Sequence, residues 1–202
     1  MSTAAIAVPY GEYRYELRRG GDIVALEEER LAARALSGMR RSADGNNRHE
    51  VEVALDAGGM VEHLSLRYVR GLFNRNASYE AAEDVLRGSV SALAGRNEIA
   101  VKLGRFREVD GDLMLFKALI AARIRSRGQV HWTGRVAVID PATLVAASIK
   151  HTWQRLDEHG HLWAFEPRMG DDEEIETDND GRIVRRRDSR GVETVLTSFL
   201  PG

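Results

Sequence analysis

The chain has 202 residues, 43% apolar and 30% charged, which suits one soluble globular domain over residues 1–202. A formal net charge of −2 predicts no long-range attraction to nucleic acid or to an anionic membrane. With no cysteine and no apolar run near the roughly 20 residues of a membrane span, disulfides, thiolate chemistry and a spanning helix are excluded. We therefore expect a cytoplasmic protein.

Glycine is frequent, with 19 residues, and proline is rare, with four, which is typical of short antiparallel strands joined by tight turns. Residues 12–18 alternate in polarity and break at a Gly-Gly-Asp turn. Residues 22–38 are rich in Ala, Leu, Glu and Arg, which favours a helix by propensity. Because the flanking segments are strand-like, we favour a long bent strand pair there and leave the helix as an alternative.

The middle of the chain predicts a β-hairpin, with strands at 48–55 and 60–69 around an Asp-Ala-Gly-Gly turn. Three further strands are predicted at 78–90, 99–108 and 113–124. The last of these is a continuous apolar run, so a short buried helix explains it equally well.

The C-terminal third predicts strands at 130–139, 144–156 and 161–165, and then an acidic run that turns at residues 178–181 into a basic strand. The total is roughly nine to eleven short strands. The fold class that follows is mainly β: a single curled antiparallel sheet, either a spiral β-roll or a lipocalin-like barrel, with little helix.

The candidate site comes from one hairpin. If Glu158-His159-Gly160 forms a three-residue loop, Trp153 pairs with Phe165. His151, Trp153, His161, Trp163 and Phe165 then share one inward face. An inward histidine could act as a general base or donate to a ligand, and the plainer alternative is a buried histidine bonded to a backbone carbonyl.

Every tryptophan follows a histidine by one or two residues, which adds the pair His131 and Trp132 to the candidates. Tyr68 and Tyr79 lie on either side of a break in the strand pattern at residues 71–73, and polar aromatic side chains beside such a break could line the mouth of a cavity. The predicted catalytic or orienting groups are His151, His161 and Tyr68. The predicted ligand contacts are Trp153, Trp163, Phe165, Tyr79, His131 and Trp132. Tyr68 could equally be a core residue with its hydroxyl at the rim.

Two other chemistries, a lysine nucleophile and a metal or cofactor site, have less support in the sequence. Lys117 lies in an apolar run and could be a nucleophile, although a side chain that reaches solvent with its ammonium is favoured. No ligand set for a metal and no phosphate loop or dinucleotide motif is present, so we expect no metal and no cofactor.

The succession Val-Ile-Asp-Pro at 138–141, His-Thr-Trp-Gln-Arg-Leu at 151–156 and Ile-Glu-Thr-Asp-Asn-Asp-Gly-Arg-Ile-Val at 175–184 resembles a bacterial family inferred to bind glycolipids. The resemblance covers about residues 130–187. It implies a spiral β-roll around an apolar cavity, and it transfers no catalytic residue.

Our leading hypothesis is a protein that binds a small apolar or amphipathic molecule in a barrel cavity. The alternatives are a cofactor-independent isomerase, lyase or cyclase with a cavity histidine as general base, and an interaction module without ligand. A homodimer formed through an exposed sheet edge is compatible with the last of these.

Overall fold

The computed structural model describes residues 8–93, 95–104, 107–167 and 172–202. Fifteen strands and one helix lie in these ranges. The strands are β1 (Gly11–Arg19), β2 (Asp22–Ala32), β3 (Ala35–Ser42), β4 (Asn47–Leu55), β5 (Val61–Arg70), β6 (Phe73–Ala82), β7 (Val85–Ala92), β8 (Gly95–Lys102), β9 (Val109–Asp110), β10 (His131–Ile139), β11 (Ala146–Arg155), β12 (Leu162–Pro167), β13 (Glu173–Thr177), β14 (Ile183–Asp188) and β15 (Val192–Pro201). The helix is α1 (Met114–Ser126).

All fifteen strands belong to one sheet, in the order β8 to β1, then β15 to β9. Neighbouring strands are antiparallel except β9 and β10, and β1 pairs with both β2 and β15. The sheet curls so far that β8 contacts β11, and the buried side chains form one continuous core. The prediction of a mainly β, single curled sheet is therefore confirmed.

Because successive strands alternate in direction, their connections fall along two edges. We call the upper edge the one with the connections β1–β2, β3–β4, β5–β6, β7–β8, β10–β11 and β14–β15. The lower edge has β2–β3, β4–β5, β6–β7, β11–β12 and β13–β14.

The described strands outnumber the predicted ones, and one reason is that a long predicted run conceals a turn. The predicted strand 78–90 is divided between β6 and β7 by a tight turn in which Glu83 has a positive φ of 54°. Turns are usually predicted from glycine or proline, and neither is present at this turn. Because glutamate seldom adopts the left-handed conformation, the sequence contains no sign of a turn at this position.

Residues 22–38 form strands, as favoured, and the structure explains why their pattern was obscure. The buried positions of β2 are Ala25, Glu27, Glu29 and Leu31. Two glutamates therefore occupy positions where a sheet normally carries apolar side chains, and the usual alternation of polar and apolar residues disappears.

The segment 113–124 is a helix, so its prediction as a strand is wrong and the alternative is right. Residues of α1 are buried on every side because the curled sheet surrounds the helix, and such a helix has no polar face to show a helical period. The helix ends at Ser126, and Arg127 is its C-cap residue. Gly128 follows with a φ of 64°, and its N–H donates to the Arg125 carbonyl at 2.9 Å.

Candidate functional site

A cleft of about 460 Å³ opens at the upper edge, between β10–β11 and the beginning of α1. One wall is apolar. It consists of Val138, Ile139, Val145, Ala147, Ile149 and Phe165. The opposite side is charged, and its members come from the segment before α1, from α1 itself and from β13–β14. They are Asp110, Asp112, Lys117, Glu173 and Arg186.

Two buried glutamates of β2 cap the start of the helix. Leu113 precedes the helix in extended conformation and gives no side-chain cap. Instead, the Met114 N–H donates to Glu27 Oε1 at 3.0 Å and the Leu115 N–H donates to Glu29 Oε2 at 3.0 Å. Burial, and then the neighbouring Glu27, raise the pKa of Glu29 well above its usual range. Both side chains thus accept hydrogen bonds from N–H groups at the start of the helix that have no partner within the helix.

Arg40 connects the cap to the charged side of the cleft. Its Nε donates to Glu27 Oε2 at 2.6 Å, and its Nη1 donates to the Asp112 carboxylate. Burial alone would raise the pKa of Asp112, but Arg40 and His49 together lower it below its usual range. The carboxylate that faces the cleft is thus held in its charged form.

Lys117 lies on the first turn of α1 and is buried, so the expectation that its ammonium reaches solvent is wrong. Its Nζ donates to Asp110 Oδ2 at 2.9 Å and lies 3.5 Å from Glu173 Oε2. Arg186 Nη2 donates to the other Glu173 oxygen at 2.5 Å. Burial alone would raise the pKa of Glu173, yet Lys117 and Arg186 lower it. Because its ammonium is paired with two carboxylates, we assign Lys117 a role in holding the fold together rather than a role as a nucleophile.

His151 lines the cleft from β11 and is buried. Its Nδ1 has no hydrogen-bond partner in the described part of the chain, and its ring meets Phe165 edge-on with centroids 4.7 Å apart. Burial, only partly offset by Asp110, lowers the pKa of His151 to about 4. The imidazole is therefore neutral at pH 7 and a weak general base, because a base works best with a pKa near the operating pH.

The predicted hairpin register is the observed one. Trp153 pairs with Phe165, and Gly160 closes the loop with a φ of 76°. Trp153 is buried behind the cleft wall with its ring centroid 4.8 Å from that of Phe165. Lys117 Nζ lies over the Phe165 ring, 4.6 Å from its centroid. Phe165 thus joins the tryptophan to the charged side of the cleft.

The remaining residues of the His–Trp pattern lie away from the cleft mouth. Trp163 is buried, and its Nε1 donates to the Gly160 carbonyl at 3.0 Å near the lower edge. His161 is half-buried in the β11–β12 connection, also on the lower edge. Trp132 is buried and pairs with Trp153, whereas His131 is exposed.

The two tyrosines differ in role. Tyr79 is fully buried on β6, where its hydroxyl donates to the Leu144 carbonyl at 2.6 Å and accepts from the Ala146 N–H at 3.2 Å. It thereby ties β6 to the beginning of β11. Tyr68 is half-buried on β5, and its hydroxyl is 3.4 Å from Asn47 Oδ1. Of the three predicted catalytic groups, only His151 is among the described residues that line the cleft.

Sequence reasoning missed several residues of the charged side and the buried residues that support it. Glu27, Glu29, Arg40, Glu173 and Arg186 resemble surface residues because each has charged neighbours along its strand. The one available signal was Lys117, a lysine in an apolar run, since a buried ammonium requires carboxylates that the fold must bring to it. Over the described ranges, no His, Cys, Asp or Glu cluster could hold a metal ion. Within the same ranges, no helix is long and apolar enough to cross a bilayer.

The fold and the cleft define a class: a curled single-sheet β protein that encloses one helix and opens at one edge. Two solved structures are similar in fold. A DUF1089 family protein from Pseudomonas aeruginosa matches with a TM-score of 0.61 at 16% identity, over 81% of this chain and 89% of that one. A β-barrel-like protein of the domain of unknown function DUF1849 from Brucella abortus matches with a TM-score of 0.51 at 10% identity, over 98% of both chains.

At these identities the two structures show a β-barrel-like fold alone. The sequence matches no protein-family model and no curated protein. The glycolipid ligand that the sequence resemblance implies therefore stays a prediction.

Proposed function

We propose that this protein binds a small amphipathic molecule in the upper-edge cleft. The observation that carries the proposal is the division of the cleft into an apolar wall, on β10–β12, and a charged side around Lys117. A volume of about 460 Å³ is within the usual range of small-molecule sites. The hydrocarbon part of the ligand would lie against the wall, and its polar group would face the ion pairs.

The charges of the cleft indicate which polar group fits. Acidic and basic side chains alternate on the charged side, and most of them are already paired with one another. A group with both donors and acceptors, such as a sugar or another polyhydroxy group, exchanges hydrogen bonds with both signs. A head group with a single strong charge would meet a repelling side chain as often as an attracting one.

Buried polar atoms without partners add support. His151 Nδ1 and Arg186 Nε make no hydrogen bond within the described chain. Buried polar groups in proteins nearly always have a partner, so unpaired ones around a cleft indicate a ligand or water that completes them.

The test is fluorescence titration with N-phenyl-1-naphthylamine, a neutral dye that brightens in apolar sites. We expect saturable binding to the wild type and displacement by dodecyl maltoside, below its micelle concentration, in preference to laurate. Ala147→Trp fills the cleft from its wall and should abolish the signal. Ala57→Trp adds the same indole to an exposed lower-edge turn and should leave binding unchanged.

Circular dichroism and the unfolding midpoint verify that both variants are folded. Equal dye binding by the wild type and by Ala147→Trp would refute the cleft as the site. Displacement by laurate in preference to dodecyl maltoside would refute the argument about the polar group.

A further inference from the structure

The most exposed large apolar side chains lie together on the upper edge. Leu72 is 98% exposed and Phe73 is 68% exposed, both at the β5–β6 connection. Leu93 is 86% exposed at the β7–β8 connection. These two connections are two strand spacings apart, roughly 10 Å. Removing such exposed apolar side chains from water is favourable, and a group of them marks an interaction surface.

The charged residues next to these side chains along the chain are arginines. Residues 69–75 and 91–97 contain three arginines, Arg70, Arg75 and Arg96, and no acidic residue. Among the described residues, only Arg96 of the three has an ion pair, with exposed Glu98 at 3.0 Å. We call the three apolar side chains and the three arginines together the basic patch. It is bounded on one side by Asp44 in the β3–β4 connection.

The lower edge has the opposite character. Its connections contain most of the acidic turn residues, among them Asp56, Glu83, Asp84, Asp157, Glu158, Asp178 and Asp180. The whole-chain charge of −2 thus hides a separation between a basic, apolar part of one edge and an acidic opposite edge. A protein with such a separation is oriented by a charged surface even when its net charge is small.

The basic patch adjoins the cleft. Arg75 Nη1 donates to the Ala142 carbonyl, which belongs to the β10–β11 connection. Asp140, Pro141 and Val145 of the same connection line the cleft. A surface that receives Leu72 and Phe73 therefore lies beside the cleft mouth.

We infer that the β5–β6 and β7–β8 connections dock this protein on the surface of an anionic lipid bilayer, with Leu72, Phe73 and Leu93 inserted at head-group depth and Arg70, Arg75 and Arg96 against lipid phosphates. Resting on the proposed function, this inference names the source of the cleft's ligand: an amphipathic molecule that enters from the bilayer. Two separate connections, each with exposed apolar side chains and flanking arginines, fit the deformable anionic surface of a bilayer better than a protein groove of fixed shape.

The test is co-sedimentation of the full chain with two kinds of large vesicle. One contains phosphatidylcholine alone, and the other contains phosphatidylcholine with about 30% of the anionic lipid phosphatidylglycerol. We expect binding to the anionic vesicles only, weakened by salt. The double variant L72S/F73S should bind about tenfold more weakly or worse. The matched control L156S/L200S removes two exposed leucines at the lower edge and should bind like the wild type.

Arg70→Glu should weaken binding chiefly at low salt. Equal binding by L72S/F73S and the wild type, or no binding to either vesicle, would overturn the docking surface. A dimer in sedimentation velocity that L72S/F73S converts to a monomer, with no vesicle binding, would assign the surface to a second copy and overturn it as well.

Dye titration without vesicles separates this inference from the proposed function. Retained dye binding with no vesicle binding contradicts the docking surface and leaves the cleft function standing. Vesicle binding by a wild type that binds no dye contradicts the cleft function and leaves docking to lipid as a property of the edge alone.

Discussion

Replacing Lys117 with methionine should cost more stability than any single surface change. The ammonium lies 2.9 Å from Asp110 Oδ2 and 3.5 Å from Glu173 Oε2, and all three side chains are less than a tenth exposed. The substitution leaves Asp110 buried without this cation, whereas Glu173 keeps Arg186. Breaking a buried ion pair in this way typically costs about 3–5 kcal/mol.

Urea unfolding, monitored by tryptophan fluorescence, measures the loss in the free energy of unfolding. In a separate thermal unfolding experiment, we expect the midpoint of a chain of this length to fall by about 10 °C. The control is Lys102→Met, which removes an exposed lysine 3.7 Å from Asp84 and should cost less than about 1 kcal/mol.

The pH dependence provides a second check. Lys117 helps to lower the pKa of Glu173, so this group stabilises the fold above the usual carboxyl range, and the contribution is lost as the pH falls through the lowered pKa. Without Lys117 the folded protein takes up protons at higher pH. The deficit of the variant should therefore shrink as the pH falls from neutrality towards about 4. Equal losses for both lysine variants, or a deficit that grows in acid, would refute the buried-network argument.

Three further predictions concern the core and the cleft. Burial lowers the pKa of His151 to about 4, so the wild type should lose up to about 3 kcal/mol as the pH falls from about 6.5 to about 4, and His151→Gln should lack this loss in urea unfolding at pH 7 and 4.5. Tyr79→Phe strips two buried backbone groups of their partner and should cost about 1–3 kcal/mol, whereas Tyr68→Phe should cost little; equal costs would contradict the two roles. In Gly88→Ala the new Cβ would lie 2.0 Å from the Ser78 carbonyl oxygen, so a thermal midpoint like that of the wild type would show that this close strand approach is wrong.

Local pattern predicted the parts of this fold in which one face of a strand is apolar. The hairpin that pairs Trp153 with Phe165 followed from loop length and alternation alone, because the register of a hairpin is set by its turn and by the side chains on its buried face. The single curled sheet followed in the same way, from short alternating runs divided by glycines.

Tertiary structure alone decided the helix and the charged side of the cleft. An apolar run has the same local pattern as a buried strand or an enclosed helix, and only the surrounding sheet selects α1. Charged residues such as Glu173 and Arg40 look solvent-exposed in sequence because burial of a charge depends on a partner distant along the chain. Lys117 meets Glu173 only when the sheet curls around the helix, so the charged half of the site is a product of the fold.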